Sequence, residues 1–430
     1  MNTWSRPILA SVFFLAACST TPPNPPGSVP AATGATIGDS TSPLIETPRA
    51  IPNSKPLPTS EAVGPVPTLR CDVPFAEWLL GQRLVYVSEV NSNPAIFVRG
   101  ASGGAQHRIS REQVSSIDPE FSSASGLVAY IYQESNQAFG LAVVRPDGSQ
   151  YRSVTKRDLN VSLTSEPGNP DPNVLVSPLH ADGWLLSWFE WSHAGDAVAV
   201  RTTDGQSNTL YVVNIDSGHR TPISSADDSL LGTSQSWSPS DEYIVYDTPI
   251  DSAGIRYRLF LASRDGSSIS EIRTTGFSDR TPEWQSAGNL IAFVTASVSN
   301  FIRSSNLALV DRLGMDENVI VNAGHLVVSS LWSPDGRFLA FSVSELNDRG
   351  RTARSTINII DVQTGETIEV ASADDLSPWY FHWSADSRAL AVLEGSGSQG
   401  TISVFDRCDS QTSVAVSDVY VSNFDWVPSR

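Results

Sequence analysis

The stretch Leu331 to Val343, LWSPDGRFLAFSV, constrains the fold more than any other part of the chain. Ser333-Pro334-Asp335-Gly336 puts Ser at the first, Pro at the second and Gly at the fourth position of a type I turn, so it reads as a tight reversal between strands. Trp332 ends the strand before it. Phe338 to Val343 makes a nearly continuous apolar strand after it, the pattern of a sheet covered on both faces. One such hairpin cannot bury itself, but the unit recurs. Trp191, Trp237, Trp284 and Trp383 each precede a short turn and an apolar strand, Phe121 holds the same place earlier, and Trp426 holds it last. The intervals are 70, 46, 47, 48, 51 and 43 residues. Apart from the first they match propeller blades of about 40–50 residues.

The two ends of the repeat region complete each other. Asn423 to Arg430 reads as an inner strand and turn without a second strand, and Gly81 to Val87 as a second strand without an inner one. The expectation is an all-β, seven-bladed propeller of four-stranded blades over residues 71–430, closed by pairing of the C-terminal strand with the N-terminal blade. Within each blade the pattern runs inner strand, tight turn, second strand, loop, third strand, tight turn, outer strand. The tight turns therefore fall on one face and the longer segments on the other: Lys156 to Ser187, Ala296 to Ser305 and Ser344 to Thr356. Long loops gathered on a rigid scaffold are where binding is expected, with Asp171, His180, Trp184, Arg349, Arg351 and Arg354 as candidate contacts. The Arg349, Arg351 and Arg354 cluster reads either as a solvated loop or as a basic patch for an acidic partner.

Residues 1–17 read as a signal peptide: Arg6, then an apolar run from Ile8 to Ala17 too short to span a bilayer. Leu15-Ala16-Ala17-Cys18 resembles the bacterial lipobox, which implies lipidation at Cys18; ordinary cleavage beside an unmodified cysteine is the alternative. Residues 18–70, rich in Pro, Thr, Ser, Ala and Gly, carry no apolar period and read as a disordered tether. In an exported chain the remaining two cysteines, Cys71 and Cys408, are expected to bridge across the seam of the ring, two free thiols being the other possibility. Phe75, Trp78, Leu79 and Leu80, between Cys71 and the first blade, are expected to cover one end of the core.

A net charge of -18 argues against nucleic acid and anionic lipid as partners. Catalytic signals are weak. Gly100-Ala101-Ser102-Gly103-Gly104 has the letters of a nucleophile elbow but sits between two strands, and the six histidines lack metal-ligand spacing. One constellation stands out: the residue before each Trp position is Glu120, Glu190, Ser236, Glu283, Leu331, His382 and Asp425. Glu120, Glu190, Glu283, His382 and Asp425 are thus a candidate ring at the central channel, either bonded to neighbouring blades or forming a ligand site. No cofactor is expected unless those carboxylates hold a divalent cation.

The blades, with WSPDGRFLAF and LYVVNIDSGHRTPIS as the clearest halves, resemble the TolB-type propeller repeat, itself similar in style to tryptophan-aspartate repeats. That resemblance implies a protein-interaction role in the cell envelope. Together these features lead us to expect an extracytoplasmic, lipid-anchored, monomeric and noncatalytic module for an envelope protein or peptide. A carbohydrate- or ligand-binding propeller, with a metal at His382 and nearby carboxylates, is the alternative.

Overall fold

The computed structural model describes residues 71–430 except 91–92, 113, 136–137, 155–184, 204–207, 227–233, 251–255, 297–303, 323, 348–351, 375–379, 395–399, 420, 422 and 429–430. The expected signal peptide and tether, residues 1–17 and 18–70, lie outside the described residues, as do Cys18, Asp171, His180, Trp184, Arg349 and Arg351. No helix among the described residues is long and apolar enough to cross a membrane.

Seven four-stranded antiparallel sheets form a β-propeller. Blade 1 is assembled from both ends of the region, with Phe424–Pro428 innermost, followed by Gln82–Val90, Asn93–Gly100 and His107–Arg108. The closing register is Gln82 opposite Pro428 through Tyr86 opposite Phe424, extended by the Val87 N–H donating to Asn423 O at 2.9 Å. The inner strands of blades 2 to 7 are Ser115–Ser122, Leu185–Trp191, Gln235–Trp237, Ser278–Trp284, Leu326–Trp332 and Tyr380–Trp383. Each is followed outward by its second, third and outer strands in chain order.

The apolar strands have a simple cause. The buried side chains fall into seven clusters, one at each boundary between adjoining blades. In blade 6, Leu339 and Phe341 pack toward blade 5 while Ala340 packs toward blade 7, so the second strand is buried without a break from Leu339 to Ser344. Each such Leu, Val or Ile contributes about 1.5–3 kcal/mol on burial.

The serine after the tryptophan shapes the inner turn. Its hydroxyl accepts the N–H that begins the next strand: Ala197 on Ser192, Tyr243 on Ser238, Phe338 on Ser333 and Ala389 on Ser384, at 2.9–3.1 Å. Neighbouring turns also stack. In blades 3, 4, 6 and 7 the αL position of the turn sits against the turn of the preceding blade. Gly195 (φ 68°) and Gly336 (φ 68°) fill it in blades 3 and 6, whereas Asp241 (φ 58°) and Ser387 (φ 60°) fill it in blades 4 and 7. Asp241 caps the blade 3 turn, accepting the N–H of His193 and of Ala194 at 2.7 Å each. Ser387 Oγ accepts the N–H of Asp335 in blade 6 at 2.8 Å.

Outer strands carry register shifts in blades 3, 5, 6 and 7, which twist an exposed edge away from further pairing. Two expectations need correction. Residues 344–356 are not a long loop: Ser344 pairs with Ser355 and Glu345 with Arg354, so the hairpin simply extends to Leu346 and Thr352. Phe75–Leu80 is a short helix whose Phe75, Trp78 and Leu79 are buried, but Leu80, at the end of its last turn, is 72% exposed.

Candidate functional site

The inner strands bring the predicted ring together. Five indoles bind the strand of the preceding blade in the same way, Nε1–H donating to the carbonyl of the residue before that blade's Trp position. The pairs are Trp191 to Glu120, Trp237 to Glu190, Trp332 to Glu283, Trp383 to Leu331 and Trp426 to His382, at 2.8–3.2 Å. Trp284 departs from the pattern and donates to Gly288 O in its own turn at 3.2 Å. Its backbone N–H is instead bound by Ser236 Oγ at 3.1 Å.

The side chains of the ring divide into two kinds. Asp425 is structural: Oδ2 accepts the Phe121 N–H of blade 2 at 2.7 Å, Oδ1 accepts its neighbour's N–H from Trp426 at 2.7 Å, and His382 Nδ1 of blade 7 stands 3.6 Å from Oδ1. Ser236 also reaches Glu190 Oε1 at 3.4 Å, leaving Glu190 Oε2 buried without a partner. Glu120 and Glu283 sit alike, each after a proline: Asp118-Pro119-Glu120 in blade 2 and Thr281-Pro282-Glu283 in blade 5. The residue before the proline has positive φ, 50° at Asp118 and 47° at Thr281, and the register of the strand shifts there. Proline cannot donate to the ladder, so a bulge on the innermost strand is where it is tolerated. Asp118 Oδ1 accepts the Asn423 side-chain amide at 3.1 Å, and the Thr281 N–H donates to Asp247 Oδ2 at 3.1 Å.

Burial, with mutual repulsion added, raises these acids. Glu120 and Glu190 are held well above the usual carboxylate range, first by burial and then by neighbouring carboxylates. Burial pushes Glu283 up to about 8. Asp118 and Asp425 are also raised by burial, against the pull of their hydrogen bonds. His382 is lowered by burial, which outweighs the attraction of Asp425. Each of the carboxyl shifts favours the protonated form relative to a free carboxyl, which ionises at about pH 4. Among the described residues, no three of His, Cys, Asp and Glu are grouped so that they could hold a metal ion.

Arg354, expected on a binding loop, lies on the third strand of blade 6, Thr352–Asp361, where it pairs with Glu369 at 2.8 Å and Glu345 at 3.9 Å. Cys71 and Cys408 are joined by a disulfide, with Cα atoms 5.5 Å apart. The same segment is held by the Arg388 guanidinium, which donates to Val73 O at 2.8 Å, and by Trp78 Nε1, which donates to Asp386 Oδ2 at 2.8 Å.

Sequence reasoning missed the buried ion pairs. Arg388 is bound by Asp406 through two hydrogen bonds of 2.9 and 2.8 Å. Arg201 donates to Gln235 Oε1 at 2.7 Å and to Asp247 O at 3.0 Å, and Arg258 donates to Gly276 O, Phe277 O and Asp279 Oδ2 at 3.1–3.3 Å. A signal was present: Arg201 and Asp247 each continue an otherwise apolar strand, where a charge has to find a partner.

No family model matches the chain, and no curated protein matches it. Among solved structures, it is similar to the acylaminoacyl peptidase of Pyrococcus horikoshii (11% identity, TM-score 0.55), covering 78% of this chain and 51% of that one. It is similar also to the β-propeller domain of the Trilobed protease from Pyrococcus furiosus (12% identity, TM-score 0.54; 79% and 93% covered), which has an open velcro topology. TolB from Acinetobacter baumannii is a further neighbour (12% identity, TM-score 0.49; 80% and 82% covered). At these identities the likeness concerns the fold. The chain is a seven-bladed β-propeller, and unlike the open-velcro domain it is closed by its last strand.

Proposed function

We propose that this protein is an extracytoplasmic, lipid-anchored, noncatalytic β-propeller that binds an envelope protein or peptide. The observation that supports it most is the Cys71–Cys408 disulfide, a bond kept in exported proteins, at the point where the tether meets the propeller. It agrees with the signal sequence and with lipidation at Cys18. Asp241, Ser387, Arg388 and Asp425 use their hydrogen bonds to hold the scaffold together, which supports placing recognition on the loops opposite the tight turns. Both Cys408 and the Trp78 contact at Asp386 lie on tight turns, so Cys71 joins the propeller on the tight-turn face, opposite the loops.

The test is capture from envelope extract by the full chain and by a variant with residues 155–184 replaced by a short turn. A partner bound by the first and not the second supports the reading. Capture by neither removes that segment as a protein-binding site. Membrane fractionation of Cys18→Ala checks the anchor: the protein must leave the membrane fraction.

A second reading is a channel ligand, favoured by the convergence of Glu120, Glu190 and Glu283. Such a ligand would be cationic or a hydrogen-bond donor, for instance a basic group or a sugar hydroxyl. Binding of a cationic or glycan probe, lost in Glu120→Gln/Glu283→Gln, would support it over the first.

A further inference from the structure

The propeller is closed twice at one seam. The noncovalent closure is the innermost strand of blade 1, Phe424–Pro428, paired with Gln82–Val90. The covalent closure is the Cys71–Cys408 disulfide, which ties the segment before blade 1 to the turn after the third strand of blade 7, Gly400–Asp406. Topologically the two are independent. The covalent loop from 71 to 408 contains the three outer strands of blade 1, blades 2 to 6 and the three inner strands of blade 7. Only the outer strand of blade 7, Thr412–Val419, and the closing strand lie beyond it.

Energetically the two closures share one body of contacts. Trp78 meets Trp426 of the closing strand edge-on, with ring centroids 5.9 Å apart, and both belong to the cluster between blades 7 and 1. Arg388 of blade 7 lies over the Trp78 ring at 5.3 Å and holds Val73 O. On its other side the closing strand is fastened through Trp426 to His382 O of blade 7 and through Asp425 to the Phe121 N–H of blade 2.

We propose that Cys71–Cys408 is a redox-sensitive lock on the seam between blades 7 and 1. With the disulfide formed, the closing strand can detach and return while the ring stays shut. With it reduced, only noncovalent contacts carry the seam: the closing strand, the Trp78 and Arg388 hydrogen bonds and the apolar cluster between blades 7 and 1. Detachment of the strand then removes the largest of them and lets the ring open. Reduction needs a dithiol donor. One donor thiolate attacks the Cys71–Cys408 bond to give a mixed disulfide, and the second displaces it, so two electrons and two protons leave the donor as a disulfide and produce two cysteine thiols. Cys71 is exposed, which gives the donor access.

The test uses the full chain, with no partner, so its outcome is separate from that of the binding reading. Hydrogen exchange at the Val87 N–H reports attachment of the closing strand, and the urea unfolding rate reports the ring. Both are measured for the wild type and Phe424→Ala, oxidised and after dithiothreitol, with Cys71→Ser/Cys408→Ser as a reagent-free reduced form. In the oxidised state, Phe424→Ala is expected to speed Val87 exchange on the order of tenfold while changing the unfolding rate about twofold at most. In the reduced state it is expected to speed unfolding on the order of tenfold or more. If reduced Phe424→Ala does not stay folded, its unfolding on addition of dithiothreitol to the oxidised protein, against reduced wild type, gives the same factor. An equal acceleration by Phe424→Ala in both redox states would overturn the proposal, because the closures would then be uncoupled.

Discussion

Asp241, in an αL conformation that costs an ordinary residue energy, accepts the backbone N–H of His193 across the boundary between blades 4 and 3 at 2.7 Å. The carboxylate is buried, although His193 and Ala194, whose N–H groups it binds, are exposed residues. Glycine at this position relieves the backbone but abandons the N–H groups of His193 and Ala194. Asp241→Gly is therefore expected to destabilise by about 1–3 kcal/mol, because unsatisfied amides outweigh the conformational gain. Asp241→Ala, which loses the hydrogen bonds and keeps the strain, should be worse. Urea unfolding of both variants checks the order; a more stable Asp241→Gly would refute it.

The glycines of the outer turns separate two effects. A methyl group at Gly266 (φ 69°) would stand 2.5 Å from Pro222 O of blade 3, whereas one at Gly365 (φ 76°) would meet nothing within 4 Å. Gly365→Ala is expected to cost about 1–2 kcal/mol, the conformational part alone. Gly266→Ala should cost about 1–3 kcal/mol more, since backbone has to move. Denaturant midpoints of the pair test this directly.

The ring acids set an alkaline limb of stability. A carboxyl whose folded pKa is raised binds its proton more tightly in the native state. Its stabilisation is complete below the unfolded value and is lost as pH rises through the folded one. For Glu283 the window runs from 4.5 to about 8. The melting temperature should fall across that range, and Glu283→Gln should flatten the fall, raising stability at pH 8 and leaving it little changed at pH 4. An unchanged pH profile for Glu283→Gln would count against a buried, protonated ring.

Asp406 acts in the opposite sense. The Arg388 guanidinium and the Cys408 N–H, working against the cost of burial, hold its carboxyl below the usual range, so its contribution is present above the unfolded pKa and lost as pH falls through the lowered one. Arg388→Met leaves Asp406 buried and unpaired, and a loss of about 3–5 kcal/mol is expected at pH 7. Hydrogen exchange around Val73 and Trp78 should rise with it, since Arg388 also holds that segment.

Much of the architecture was legible because each blade buries both faces of its middle strands, which prints continuous apolar runs between turn residues at a fixed period. The closing strand was legible for the same reason, Phe424-Asp425-Trp426 being half a repeat. The convergence of the ring could be read from its place beside each tryptophan, but which members are structural could not. Asp425 differs from Glu120 only in the reach of its side chain to a neighbour's N–H. Asp241 and Ser387 stand four residues after their tryptophans, as Gly336 does, and nothing in the sequence shows that their side chains cap the preceding blade. The Asp-Gly turns read as local reversals, and their further reason, close approach to another blade, depends on residues about 44 positions away, as with Gly266 and Pro222. Residues 344–356 misled because a polar hairpin extension has the composition of a loop.

The division of the core among seven boundaries has a mechanical consequence. Each blade is a wedge, and the wedges together must make one full turn about the axis. A larger side chain in any one cluster widens its wedge, and the excess angle has to be taken up by the other six. Clusters that share no side-chain contact are thus coupled by geometry alone. Ile359, between blades 6 and 7, and Ile131, between blades 2 and 3 on the other side of the ring, are a pair on which that coupling is expected to show as non-additive stability changes.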